Sequence, residues 1–452
     1  MSSQGANKPL LLFTSFPSEG HTNPVLAIAK YMVSHGYPVV YLAAHVHRDK
    51  ICAMGAEFIA YDWTPMSPRL TSGPLPTSMV KRLSRASLQL VELFYDTLPG
   101  RFESLSAALE MLRRREPGRQ IIVVEDILNM TTMPYRYGSA LPAGFEERPA
   151  TVGISSAAAM LQSQDTAPFY VGLPPDPTPA GRLRNSALHD LVFEGPMTSV
   201  VDAWNEALRI CGCNVSPRGS PFSGWFNAYD VTMMLCSPSL EYPMSDLPSH
   251  VKFVGCLPRR GVDDNTAYPK WWSDVVQAAA PKKKKVVFVS QGTINHDVHQ
   301  LIVPTLAALA GREDLLVVAT MGDRDARVEA VPVLPPNARV ANYIPYDAVL
   351  PYTDVFVSNA GYGAFTHAVM NGVPAVFAGT TEDKIEVAMR AEWAGFACNL
   401  GTQTPSQAQI SEAVDMVFAN DRFKARALQL KTENEHMDAL ARIEKHIVAL
   451  TV

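Results

Sequence analysis

Residues 355–387, VFVSNAGYGAFTHAVMNGVPAVFAGTTEDKIEV, leave this chain few folds to choose from. The apolar run Val355-Phe356-Val357 has the length and composition of a buried parallel strand, and Asn359-Ala360-Gly361-Tyr362-Gly363 breaks it where a helix must begin. Gly372-Val373-Pro374 ends that helix, and Ala375-Val376-Phe377-Ala378 opens a second strand. Strand, helix and strand make a βαβ unit, and such units build parallel α/β sheets. Unpaired N–H groups at the helix start, together with its dipole, attract a phosphate. The loop Thr380-Thr381-Glu382-Asp383-Lys384 sets polar groups at a strand's carboxyl end, where open α/β sheets bind ligands. Glycine turns of this kind also serve only to pack a helix on its sheet, so the stretch alone does not decide function.

The same rhythm runs through the chain. Leu10 to Phe13, Val39 to Leu42 and Glu57 to Ala60 read as strands, with helices at Val25 to Val33 and near His47 to Met54. It stops between Asp62 and Gly118, which is helical and proline-punctuated, and again between Pro168 and Gly224. Both excursions belong over the sheet's carboxyl edge, the place for an apolar small-molecule pocket. Strand character returns at Ile121 to Val124 and Thr151 to Ile154. Arg259 to Lys285 then reads as a linker, and Val286 to Ser290 opens a second alternating series. With 452 residues, more than one core is required, and the boundaries fall at 1–258 and 259–452. Thr404-Pro405-Ser406-Gln407 supplies an N-cap, a first-turn proline and a capping-box glutamine for a late helix.

Composition excludes several partners. A net charge of −5 argues against nucleic acid and anionic membrane, and the one basic run, Lys282 to Lys285, reads as the solvated entry to a strand. The six cysteines show no paired zinc spacing and read as reduced thiols of a cytoplasmic protein. The amino terminus lacks the parts of a signal peptide, and no run of about 18 apolar residues is present to span a membrane.

His21 is the leading candidate for chemistry. It follows a strand and Gly20 and precedes a helix whose first residue is expected at Pro24. A positive dipole end disfavours imidazolium, so the ring is expected to be neutral and ready to accept a proton. The alternative is a loop histidine that caps the helix. Asp126 ends the strand Ile121 to Val124 on the same sheet edge and would orient such a base, or cap a helix. Alternation turns the rival Glu125 to the other face. Ser290-Gln291-Gly292-Thr293 also ends a strand; its small residues let a phosphate approach the backbone, with the Thr293 hydroxyl as a donor.

The order of these parts resembles the family-1 glycosyltransferases, two-domain enzymes that move a sugar from a nucleotide diphosphate to a small acceptor. Gly20-His21-Thr22-Asn23-Pro24 matches their Gly-His-x-Asn-Pro motif, in which the histidine deprotonates the acceptor hydroxyl, and the family's aspartate falls on Asp126. Asn359-Ala360-Gly361-Tyr362-Gly363-Ala364 stands where His-Gly-Gly-aromatic-Asn-Ser is usual, and Gly372-Val373-Pro374 matches outright. Asp383-Lys384 falls on the Asp/Glu-Gln pair that holds sugar hydroxyls. Asn359 thus replaces the phosphate-binding His, His367 the ribose-binding Glu, and Lys384 the Gln, which is similar to a microbial variant of the signature. Gly292 and Thr293 resemble the Gly-Ser/Thr element. Tyr343-Ile344-Pro345-Tyr346 resembles the base-holding stretch, with Tyr343 stacked on the base and the Ile344 backbone at its edge, or with Tyr343 in the core.

The resemblance implies two Rossmann-like doubly wound α/β domains facing across a cleft (GT-B), acceptor on the first and donor on the second. A last helix at about 433–450 would cross back to the first domain. It implies single displacement with inversion, with UDP-glucose as the default co-substrate, a TDP donor left open by the three replacements, and a phenolic, polyketide, terpenoid or macrolide acceptor. No Asp-x-Asp pair lies in a plausible loop, so neither metal nor other cofactor is expected. The competing readings are a nucleotide-sugar epimerase or hydrolase of the same fold and a non-catalytic nucleotide-sugar-binding partner.

Overall fold

The computed structural model describes residues 8–61, 76, 78–215, 219–262, 266–280, 283–292, 297–322, 331 and 333–451. Lys282, Thr293 and the opening of the 62–118 stretch lie outside them. Seven strands build the first sheet: β1 Leu10–Thr14, β2 Val39–Ala43, β3 Glu57–Ala60, β4 Ile121–Asp126, β5 Ala150–Ser155, β6 Val231–Met234 and β7 Val251–Phe253. Six build the second: β8 Lys285–Ser290, β9 Leu315–Thr320, β10 Ala338–Ala341, β11 Val355–Ser358, β12 Ala375–Phe377 and β13 Ala397–Asn399. All described pairs are parallel. The orders are β3-β2-β1-β4-β5-β6-β7 and β10-β9-β8-β11-β12-β13. Each order reverses once, between β1 and β4 in one sheet and between β8 and β11 in the other. Crossovers leave such a point in opposite directions and open a crevice at the strands' carboxyl ends.

Parallel strands covered on both faces need apolar residues at every position, and β1 is buried throughout. Leu11 and Phe13 face the helix Glu19–Ser34, whereas Leu10 and Leu12 face Leu105, Leu109 and Leu112 of the helix Leu98–Arg115. The second sheet divides likewise: Val287 and Val289 pack with Ile302 and Val414, and Val286 and Phe288 with Phe365.

Several boundaries differ from expectation. The first helix begins at Glu19, with Ser18 at the N-cap position but no side-chain capping bond, so Pro24 lies inside it. Proline there withholds a donor only from the Gly20 carbonyl, one turn from the helix start, where little of the ladder is lost. The late helix is Gln407–Ala419, capped by Ser406 rather than Thr404. Both Ser406 and Thr404 have a glutamine three residues on; Ser406 wins because Gln409 returns its bond, with Ser406 N–H donating to Gln409 Oε1 at 2.9 Å. The carboxyl-terminal helix is broken at Asp438, in left-handed backbone (φ 49°), into Asp421–Met437 and Ala439–Val448. Ile443 and Ile447 lie in the core beside Leu11 and Val25, and Tyr31 Oη donates to Glu444 at 3.2 Å, so the last helix rests on the first sheet. No helix among the described residues is long and apolar enough to cross a membrane.

Candidate active site

His21 stands on the first turn of the helix that follows β1, and Asp126 ends β4 next to it, so the two flank the first reversal. The ring nitrogen Nδ1 lies 3.3 and 3.2 Å from the two Asp126 oxygens and 3.3 Å from Ser156 Oγ. A carboxylate only accepts, so Nδ1 carries the proton and Nε2 keeps the lone pair. The backbone beneath is fixed by a buried chain: Thr22 Oγ1 donates to the Phe16 carbonyl, Ser15 Oγ to Thr22 Oγ1, and Tyr41 Oη to Ser15 Oγ. Glu125, on the opposite face, accepts from Thr132 Oγ1 at 2.6 Å, Thr132 N at 3.1 Å and Tyr229 Oη at 3.1 Å. It orders the loop after β4 and does not reach His21.

The helix dipole was expected to lower the ring's proton affinity, and the direction is the opposite. Burial does push the ring down, but the Asp126 carboxylate, by charge and hydrogen bond, and Asp383 from the second domain carry its pKa above the usual 6.5. The Asp126 carboxylate, 3.2 Å from the ring, acts against the half charge of the helix end.

The second reversal carries the glycine loops. Gly292 follows β8 with φ +73°, and Asn359 follows β11, its amide donating to the Gln291 carbonyl. Among the described residues, a Cβ built at Gly292 or Gly361 would meet nothing nearer than Asn359 Oδ1, at 3.9 and 4.0 Å, and one at Gly363 nothing within 4 Å. None of the three is packed against a described side chain, which suits a cradle for a diphosphate. Gly361 caps the helix Tyr362–Asn371 without a side-chain bond, leaving the N–H groups of Tyr362, Gly363 and Ala364 without intrahelical acceptors. The Tyr362 ring is buried against Phe365, so only its backbone serves the cradle. Ala360 (φ 64°) and Glu382 (φ 47°) hold left-handed backbone in the loops after β11 and β12, a strain typical of ligand-binding turns. Gly379 has no substitute: its Cβ would stand 2.1 Å from the Asn359 carbonyl oxygen.

His367 Nδ1 is 3.0 Å from Asp347 Oδ1, and Asp347 also accepts from Arg260 N at 2.9 Å. Burial pushes the Asp347 carboxyl up, but His367 and these donors hold it below the usual range. Tyr343 is 36% exposed. Of the Ile344 backbone, expected at a base edge, the N–H donates to Thr320 Oγ1 at 3.2 Å, which leaves the carbonyl for that contact. Lys384 is buried and paired with Glu382 and Thr381 Oγ1, while Gln403 Oε1 accepts from Thr380 N at 2.8 Å. Burial pushes the Glu382 carboxyl up, yet Lys384 holds it low. Burial also raises Asp383, which Lys384 and His21 partly offset.

The structure thus brings His21 and Asp126 together, gathers Gly292, Asn359 and Gly361 to Ala364, and pairs Lys384 with a residue not singled out beforehand. Ser156, Asp347, Gly379 and Glu382 were missed. Only Glu382 carried a signal, standing within the polar loop; the others depend on long-range contacts. Among the described residues no group of three His, Cys, Asp or Glu gathers as a metal site.

Known proteins fit this geometry. The "Erythromycin biosynthesis protein CIII-like, C-terminal domain" family matches residues 304–450. UDP-glucosyltransferase 1 of Beauveria bassiana (strain ARSEF 2860) is 37% identical over 439 residues, 96% of this chain and 93% of the relative. UDP-glucosyltransferase A1 of Starmerella bombicola is 31% identical over 453 residues, 98% and 93% of the two chains. The crystal structure of the "Glycotransferase of kitacinnamycin" superposes with a TM-score of 0.70 at 21% identity, covering 99% of this chain and 100% of that one. With two opposed doubly wound sheets and near full-length relatives of this identity, the chain belongs to the family-1 glycosyltransferases of GT-B fold and is a hexosyltransferase.

Proposed function

We propose that this enzyme transfers glucose from UDP-glucose to a hydroxyl of a hydrophobic small molecule, with inversion, using His21 as the base and Asp126 as its orienter. The observation that carries the reading is that the helix starting at Asp383-Lys384 is bonded to the segment beside His21: Arg390 Nη2 donates to the Ala159 carbonyl at 3.1 Å, three residues after Ser156, whose Oγ lies 3.3 Å from the His21 ring. This contact supports a single cleft for base and sugar site.

Nε2 takes the proton of the acceptor hydroxyl, whose oxygen attacks the anomeric carbon from the face opposite the diphosphate. Asp126 stabilises the imidazolium as it forms. Charge grows on the departing phosphate and is met by the amides of Tyr362 to Ala364, without need of a metal. Glucose as the sugar is supported by the names of the two relatives. An apolar acceptor is supported by a run of ring contacts leading away from the base: Phe16 to His21 at 6.1 Å, Phe94 to Phe16 at 4.7 Å and Trp225 to Phe94 at 5.6 Å. The helix there widens into a π-turn at Val91–Tyr95, a local feature frequent at binding sites. Six unpaired cysteines suit a reducing cytoplasm.

The test is incubation with UDP-glucose and a panel of phenols, polyketides and terpenoids, with wild type and His21→Ala in parallel. The expected result is a β-linked glucoside from wild type and a loss of about 10² to 10⁴ in the variant. An α-linked product, or equal turnover by the variant, refutes the assignment.

A further inference from the structure

Arg390 lies two turns beyond Asp383 on the helix Lys384–Trp393, fully buried between two fully buried carboxylates. Its Nε donates to Glu241 of the first domain, its Nη1 to Glu386 Oε2 at 2.8 Å, and its Nη2 to the Ala159 carbonyl at 3.1 Å. Glu241 returns to the same segment, accepting from Ala159 N at 2.8 Å, and Glu386 accepts across the domain boundary from Gly172 N at 2.8 Å. The guanidinium also lies 4.2 Å from the Tyr242 ring centroid. Three residues before Ala159 is Ser156, in contact with the His21 ring.

We propose that Glu241, Arg390 and Glu386 are positioning residues that set the spacing between the sugar-holding Asp383-Lys384 pair and the base His21, a role that rests on the transfer reaction proposed above. The helix that presents the sugar contacts and the segment that touches the base meet in one planar, multiply bonded guanidinium. Stability does not account for it, because a buried ion triad is commonly matched or exceeded by apolar residues of similar volume. What an apolar patch lacks is direction: it allows sliding, whereas the Arg390 fork fixes one register.

The test uses the full chain with UDP-glucose, comparing wild type, Arg390→Lys, the triple variant Glu241→Leu/Glu386→Leu/Arg390→Met, and His21→Ala. Misplacement of reacting groups by about 1 Å costs roughly 10²-fold. The expected result is a kcat lowered roughly 10- to 100-fold in both clamp variants, with UDP affinity within about twofold of wild type and a triple-variant Tm at or above it. The His21 imidazole, titrated by NMR and assigned by its absence in His21→Ala, should show a lower pKa in the clamp variants, since Asp383 withdraws from it. This readout does not depend on turnover. A folded clamp variant with unchanged kcat and unchanged His21 titration overturns the clamp. A wild type that transfers no sugar, or an active His21→Ala, overturns the base assignment and leaves the titration to judge the clamp.

Discussion

Asp126→Asn removes one charge and almost no volume, so it isolates the electrostatic part of the site. Asp126 Oδ2 also accepts from Phe16 N at 3.4 Å. An asparagine that keeps this bond turns its oxygen to Phe16 and its NH₂ to His21, so Nδ1 must accept and the proton moves to Nε2, the nitrogen that should take the acceptor's proton. The variant therefore loses both tautomer and counter-charge. Two unit charges at the 3.2 Å seen here interact by about 5 kcal/mol at an effective dielectric near 20, an upper bound for a ring with one-fifth of its surface in solvent. General-base catalysis as a whole is worth about 10² to 10⁴. A fall in plateau kcat of about 10² to 10³, or about 3 to 4 kcal/mol, is expected. The assay is the initial rate with saturating UDP-glucose across about pH 5 to 9. His21 acts as a base only when neutral, so the rate rises with pH through its folded pKa. In wild type that limb lies above the usual 6.5, because Asp126 and Asp383 outweigh burial. In the variant burial remains and the Asp126 contribution is gone, so the limb moves to lower pH while the plateau falls. A limb moving to higher pH, or a plateau within about threefold of wild type, refutes the reasoning.

Four further outcomes are expected. Dialysis against EDTA leaves kcat within about twofold, whereas a loss restored by Mg²⁺ assigns the leaving group's charge to a metal instead of amides. Lys384→Met leaves the Glu382 carboxylate without its cation, and the donor KM rises about tenfold while UDP affinity, measured by calorimetry, is unchanged. Ile443→Ala, in the helix resting on the first sheet, costs about 2 to 5 kcal/mol in denaturant unfolding yet leaves kcat unaltered at temperatures where the protein is folded. Gly379→Ala drives a methyl into the Asn359 carbonyl, so a Tm loss matching about 1 to 3 kcal/mol and weaker UDP binding appear together.

What could be read from the residues follows the range of the forces involved. Strand-and-helix alternation is local, and it placed the stretch from Val355 to Lys384 within a residue or two of its observed elements. Alternation along β4 separated Asp126 from Glu125, because neighbouring side chains on a strand must face opposite ways. The start of the first helix was misjudged at Pro24, since a proline cue dominates local reading while Ser18, at the N-cap position six residues earlier, carries no such emphasis. The direction in which the His21 pKa moves was misjudged for the opposite reason. Its dipole is a local quantity, but Asp383 stands on the other domain, and no sequence pattern brings the two together. Asn359, expected at the phosphate, also donates to the carbonyl of Gln291, which follows a neighbouring strand 68 positions away, a contact that no local pattern reveals.

The two strand-order reversals explain why the reaction depends on how the domains are joined. Each reversal opens a crevice, and each crevice carries half of the chemistry, the base at β1 and β4 and the diphosphate cradle at β8 and β11. Within either sheet the hydrogen-bonded register leaves those groups little freedom. No described strand pairs across the two sheets, so the gap separating Nε2 from the anomeric carbon is set by whatever bridges them. Among the described residues, three of the bridges are the Arg390 clamp, the helix Asp421–Met437 through Asn434, which accepts from Cys256 N at 2.9 Å and donates to Ser237 Oγ at 3.1 Å, and the helix Ala439–Val448 lying on the first core. Only the first lies on the helix that begins at Asp383-Lys384. Loosening the other two should weaken the fold before it weakens the chemistry, whereas loosening the clamp should do the reverse.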